Sequence, residues 1–192
     1  MIPRRAGDLD ALLTEVVRQR DEVTDLFASL PADAARMWRP DEARWSATGH
    51  IAHLGIINEA YLGAIASVVE GARAAGGPMS DGPYRHPRIA SWFVKTMEPP
   101  PKKRMKTFSR MVPDPGTTPE AALADFGRLQ GRMAELIEAS RGLDLGRVRF
   151  GSPFLSVLRF SLGTGFEMLL AHDRRHIWLV HELLALPGAP TS

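Results

Sequence analysis

Four long stretches of this chain repeat apolar residues at three- and four-residue steps, and that period restricts the fold more than any other feature. In the first, Leu9, Leu12, Leu13, Val16, Val17, Val23, Leu26, Phe27 and Leu30 form the stripe, with Asp8 as N-cap and Pro31 past the end. The second opens at "RWSATGHIAHL", where Ser46 is a good N-cap and Trp45 is placed to staple the first turn. Ile56, Ile57, Ala60, Ala64 and Val68 carry its stripe, and "AAGGP" ends it. The third opens at "TTPEAALADF": Thr118 caps, Pro119 takes the first helical position and Glu120 favours the positive helix end. Gly142 closes it. The fourth runs from about Pro153 to Leu186 and stops at "PG", with Gly163 and Gly165 inside it to bend it or admit a neighbour closely.

Residues 76–117, between the second and third stretches, hold eight of the fifteen prolines, too many for a regular element. "HPRIASWFVKTM" within them could be a short helix, and "PPPKKRMK" reads as an exposed basic loop. No stretch shows β-branched alternation, so no strand is expected, and no internal repeat is present. Four long helices with one long connection imply an all-α fold: a four-helix bundle with a proline-rich crossover between helices 2 and 3. The 192 residues, 44% of them hydrophobic, suit a single domain over 1–192.

Charge gives little sign of a nucleic-acid partner. The 24 basic residues nearly balance the 22 acidic ones, and "KKRMK" has no interleaved aromatics, so a solvated loop is the better reading. The chain has no cysteine, which excludes disulfides, thiolate zinc sites and cysteine nucleophiles. After "MIPRR" comes no long apolar run, so no signal peptide is expected, and charges break the apolar stretches short of a bilayer span. The expectation is a soluble, cytoplasmic protein with no membrane partner.

The chemistry is concentrated in "LLAHDRRHIW". His172 and His176 leave the same helix face, about 6 Å apart along the axis. That face continues through Leu169, Leu179, Val180 and Leu183, so the pair points inward, while Arg174 falls almost opposite, where a solvated charge belongs. A lone buried histidine is usually a satisfied core residue. Two on one buried face are harder to explain blandly, because each ring nitrogen needs a partner, and coordination satisfies one nitrogen on each. A third ligand must come from another helix. The second helix offers His53, on the face of Ile56 and Ile57, and His50, one turn earlier and about 60° round. Either could reach the interior. Three imidazoles would leave a coordination position open, the mark of a catalytic rather than a structural site.

The remaining candidates are weaker. Glu59, Glu167 and Asp173 could orient an imidazole, although the two glutamates are badly phased for it. Asn58 could face the pocket rim. Tyr61, Trp92 and Phe166 could line an apolar pocket, with core packing as the default. Ser156, Ser161 and Thr164 have no base in view, and His86 and His181 read as surface.

"WSATGHIAHL" and "AHDRRHIWLVHELL" resemble the "WS…HL" start of the second helix and the "HxxxH" fourth helix of the DinB/YfiT-like superfamily, damage-inducible metal-binding bundles. The order of the two motifs and the proline-rich stretch between them fit as well. The resemblance places the family's first ligand on His53 and the other two on His172 and His176. His50 has no ligand counterpart and is carried as a pocket residue and a candidate catalytic group. The resemblance implies a divalent metal, zinc first and nickel second, and a low-molecular-weight thiol such as bacillithiol or mycothiol as co-substrate in an S-transfer. The alternatives are a metal-dependent hydrolase and a non-enzymatic metal-binding protein of a stress response. It also implies a small-molecule substrate and a homodimer, for which the first and fourth helices are long and apolar enough to offer a second face.

Overall fold

The computed structural model describes residues 9–31, 33–80, 84, 87–101 and 107–190. The expected N-cap Asp8, His86 and the basic run 102–106 lie outside them. Helix α1 spans Leu9–Ser29, a short α2 spans Asp33–Met37, and α3 spans Ala47–Ala74. Next come α4 (Arg88–Met97), a 3-10 turn at Ser109–Met111, and α5 (Pro119–Ala139). Strands β1 (Arg149–Gly151) and β2 (Arg159–Ser161) precede α6 (Leu162–Leu184). The fold is all-α apart from that hairpin.

The expected caps form. Ser46 Oγ accepts from Gly49 N, and Thr118 Oγ1 accepts from Ala121 N with Pro119 inside the first turn. Gly142 follows α5 at φ +77°, a conformation that costs other residues a steric clash. The fourth helix, however, begins at Leu162 and not near Pro153, because Ser161 Oγ caps it by accepting from Thr164 N. The preceding residues fold into the two-stranded antiparallel hairpin, with Phe150 opposite Phe160. Strands of three residues are too short to show alternation in the sequence.

Each of the four long helices packs on two others: α3 on α5 and α6, and α1 on the same two. Helix α4 lies on α6, and the 3-10 turn touches α3. The core has two parts. One gathers Val23, Phe27, Ile51, Leu54, Phe126, Ile177 and Val180; the other includes Leu62, Ile65, Leu129, Met133, Ile137, Phe166 and Leu169. Between them lies a polar layer with one residue from each long helix: Gln19, Asn58, Gln130 and Asp173, all fully buried.

The buried face of α3 runs through Ile51, Leu54, Ile57, Tyr61, Ile65 and Val69. Ile56, Ala60, Ala64 and Val68, expected on the stripe, are only partly buried. The helix is apolar nearly all round, so its period alone could not fix the angle. Among the described helices α3 is also long and apolar enough to cross a bilayer. Of its most apolar window 56% is buried, as in a core helix.

Gly163 and Gly165 admit neighbours. A Cβ on Gly163 would stand 2.3 Å from the Tyr84 ring, and one on Gly165 would stand 2.6 Å from the Phe150 ring.

Candidate metal centre

The antiparallel packing of α3 and α6 brings their histidines together. One ring nitrogen each of His53, His172 and His176 can be chosen so that all lie within 4.8 Å of one another. Ring centroids are 5.3 Å apart for His53 and His172, 4.7 Å for His53 and His176, and 4.6 Å for His172 and His176. No cysteine, aspartate or glutamate joins this group among the described residues.

Hydrogen bonding fixes one of the three tautomers. His53 Nδ1 lies 2.7 Å from the Met111 carbonyl oxygen. A carbonyl only accepts, so Nδ1 carries the proton and the Nε2 lone pair is left free. His176 Nδ1 lies 3.0 Å from His50 Nδ1, where one ring must donate and the other accept. His172 Nδ1 is buried with no hydrogen-bond partner. Trp45 closes over the group, with ring centroids 4.9 Å from His53, 5.6 Å from His50 and 6.2 Å from His176. It approaches over Gly49, where a Cβ would stand 3.1 Å from Trp45 Cβ.

Burial sets the charge state. Desolvation, and then the neighbouring His53, push His50 down to about 4. Desolvation, then His53 and Arg175, push His172 down to about 3. His176 is lowered well below its ordinary value, first by desolvation and then by the other three histidines. Desolvation also lowers His53, against the opposing hydrogen bond to Met111. Four neutral imidazoles therefore share the site at neutral pH. Neutral imidazole is the metal-ligating form. Neutral rings, one tautomer fixed by a backbone carbonyl and one orphaned buried nitrogen together fit a divalent ion.

A cavity of about 760 Å³ opens onto the group and includes His50 in its wall. Tyr61 lines it, whereas Trp92 is 66% exposed and Phe166 is sealed in the core. Asn58 is not at the rim: it turns away to Asp173. Asp173 does not orient an imidazole, because its carboxylate accepts from Asn58 and Gln130. Burial pushes that carboxyl up to about 7, against those two hydrogen bonds. Glu59 pairs with Arg128 at the surface at 2.6 Å. Arg174 is not simply solvated; it is partly buried and paired with Glu15 and Glu98. His181 is exposed, 3.2 Å from Glu22. Ser161 and Thr164 bond each other and Tyr84.

One participant had no usable signal in the sequence: Met111 acts through a backbone atom that any residue supplies. Trp45, read as a staple and as the first residue of the "WS…HL" motif, also forms one wall of the imidazole cluster.

No curated protein and no solved structure matches the chain. A family model described as the DinB superfamily matches residues 9–180. With nearly the whole chain inside that match, and an imidazole cluster that could hold a metal between its second and last long helices, this protein belongs to the DinB superfamily.

Proposed function

We propose that the protein is a single-domain four-helix bundle with a proline-rich crossover between its second and third long helices, acting as a metal-dependent, thiol-dependent S-transferase. His53, His172 and His176 hold the divalent ion, zinc first and nickel second. The observation that carries this reading is the ligand set itself: three converging imidazoles at a cavity wall, with no fourth protein ligand grouped with them among the described residues. When bound, the ion supplies the acidity that keeps a thiol deprotonated at neutral pH or, in the competing hydrolytic reading, activates a water.

The chain's own residues do the rest. The Met111 carbonyl holds the His53 ring, and His50 holds the His176 ring through the Nδ1–Nδ1 hydrogen bond. Trp45 and the apolar wall exclude bulk water. The thiol sulfur forms a new C–S bond to an electrophilic carbon as the leaving group departs with its electron pair, and the thiol proton passes to solvent. Hydrolysis asks more of the site, because it needs a general base close by. The carboxylate next in sequence, Asp173, is turned into the polar layer, His50 is already engaged with His176, and Glu182 in the cavity wall stands six residues, about 9 Å along α6, beyond His176. That shortage favours transfer over hydrolysis.

The test uses monochlorobimane as electrophile, whose chloride leaves, with bacillithiol, mycothiol, glutathione or coenzyme A. Each is run with and without metal. A metal-dependent rate with one thiol, lost in His176→Ala, supports transfer. Hydrolysis of an ester and amide panel without thiol acceleration supports the hydrolase. Inactivity of fully metallated protein on both panels moves weight to a metal-binding stress-response protein. The homodimer is tested by light scattering, where a monomer across a wide concentration range removes it.

A further inference from the structure

The cavity follows α6 from Met168 past His172 and His176 to Leu179 and Leu183. At 1.5 Å per residue, Met168 and Leu183 stand about 22 Å apart. The histidines therefore lie between two arms and not at a blind end. Helix α3 runs the opposite way: His53 meets the α6 histidines, Asn58 meets Asp173, and Ile65 lies beside Gly165.

The two arms differ chemically. The arm on the Met168 side is walled by Tyr61, Phe93, Met97, Phe154 and Leu158. Its one hydroxyl, on Tyr61, is already engaged by Ser152 Oγ at 3.0 Å, and both groups are buried. The charged residue nearest to this arm in the cavity wall, Arg175, stands at its histidine end, where it donates to the Thr96 carbonyl oxygen at 3.3 Å. A polar substituent entering beyond it would lose its water without gaining a partner from the side chains of the arm. The arm on the Leu183 side carries Arg44 and Glu182 along with Ala43 and Leu179. At the mouth, Phe108 and Leu155 line the cavity while remaining 54% and 40% exposed. An apolar lip of that kind suits a ligand that brings apolar surface of its own.

We propose that the Tyr61 arm is the subsite for an apolar group, aryl or medium-length alkyl, on the electrophilic substrate. The polar body of the thiol lies in the Arg44–Glu182 arm. The assignment of electrophile and thiol rests on the transferase reading; the preference of the Tyr61 arm for an apolar group does not.

The experiment therefore uses full-length, metal-free protein and the neutral fluorophore N-phenyl-1-naphthylamine. Saturable binding with enhanced fluorescence is expected. Straight-chain alcohols should displace the probe, each added methylene tightening binding by about fourfold until the arm is filled. Leu158→Asp should weaken probe binding by at least about tenfold, because a carboxylate would be placed in an apolar wall. Phe93→Ser provides a second variant in the same arm; both residues are only partly buried, so folding should survive. Leu179→Asp, in the other arm, should change binding by less than about threefold. The displacement series on the unmodified protein stands even if a variant misfolds. Absence of saturable probe binding, no dependence on chain length, or an equal loss from Leu179→Asp would overturn the subsite. Metal-dependent thiol transfer without probe binding would remove this inference and leave the transferase reading. Probe binding in a protein that takes up no metal would uphold the apolar arm while removing the transferase.

Discussion

Asn58 of α3 donates its side-chain N–H to both carboxylate oxygens of Asp173 on α6, at 3.2 and 3.3 Å, one residue away from His172. Gln130 of α5 donates to the same carboxylate at 2.7 Å. The contact ties together the two helices that carry the histidines, inside a fully buried layer. A polar layer tolerates fewer sliding registers than an apolar one, because any shift leaves buried donors unpaired.

Asp173→Ala should therefore destabilise the fold by about 2–4 kcal/mol, since two buried amides lose their acceptor. Asp173→Asn should cost clearly less. The oxygens of Asn58 and Gln130 are buried without partners, and a flipped amide could accept from the new carboxamide. Denaturant titration checks both variants. Equal losses would show that a carboxamide of the same volume cannot replace the carboxylate as acceptor.

Metal binding should follow the imidazole geometry. His53→Ala, His172→Ala and His176→Ala should each remove most of the binding of about one divalent ion per chain. His50→Ala should weaken it by about 10–100-fold, because His50 only holds the outer nitrogen of His176. Competition with a chromophoric chelator measures all four. Full stoichiometry in a His172, His176 double variant would refute the site, and a larger loss from His50→Ala than from His53→Ala would exchange their roles.

Metal removal should lower thermal stability. The ion binds only the folded arrangement of three neutral rings, so at a thousandfold excess over Kd it adds about 4 kcal/mol. A chelator should lower the melting temperature of the metal-loaded protein and leave His172→Ala unmoved. The same shift in both proteins would place the metal elsewhere.

Alanine at Gly163 and at Gly131 should act in opposite directions. At Gly163 the new methyl meets the Tyr84 ring, which is pinned by hydroxyl bonds to Ser161 and Thr164 at 2.6 and 2.7 Å. The expected loss is about 1–3 kcal/mol. Gly131 lies on an exposed face of α5 with nothing within 4 Å of an added Cβ, so the same change should gain up to about 1 kcal/mol from helix propensity. Paired melting curves would decide; stabilisation by Gly163→Ala would mean that Tyr84 can move aside.

The sequence by itself determined what depends on near neighbours along the chain. Ser46, Thr118 and Pro119 mark helix starts because a cap bonds within its own first turn. His172 and His176 share a face because four residues make about one turn. Helix α4 was legible as a short helix despite the prolines around it. The DinB motifs were legible for the same reason, since each lies within one helix end or one turn. Tertiary structure decided everything that joins distant segments. That His53 meets both α6 histidines while His50 meets His176 alone depends on how α3 is rotated, and an apolar surface nearly all round that helix does not encode the angle. The three-residue strands exist because Phe150 and Phe160 pair across a hairpin, not because either strand has a pattern of its own. Asp173 turned out to face Asn58 and Gln130, and Arg174 to face Glu15 and Glu98, because a buried charge takes whichever partner the neighbouring helix presents. The two arms of the cavity belong to the same class: Tyr61, Phe93, Phe154 and Met168 come from four separate segments and become one surface only when those segments pack.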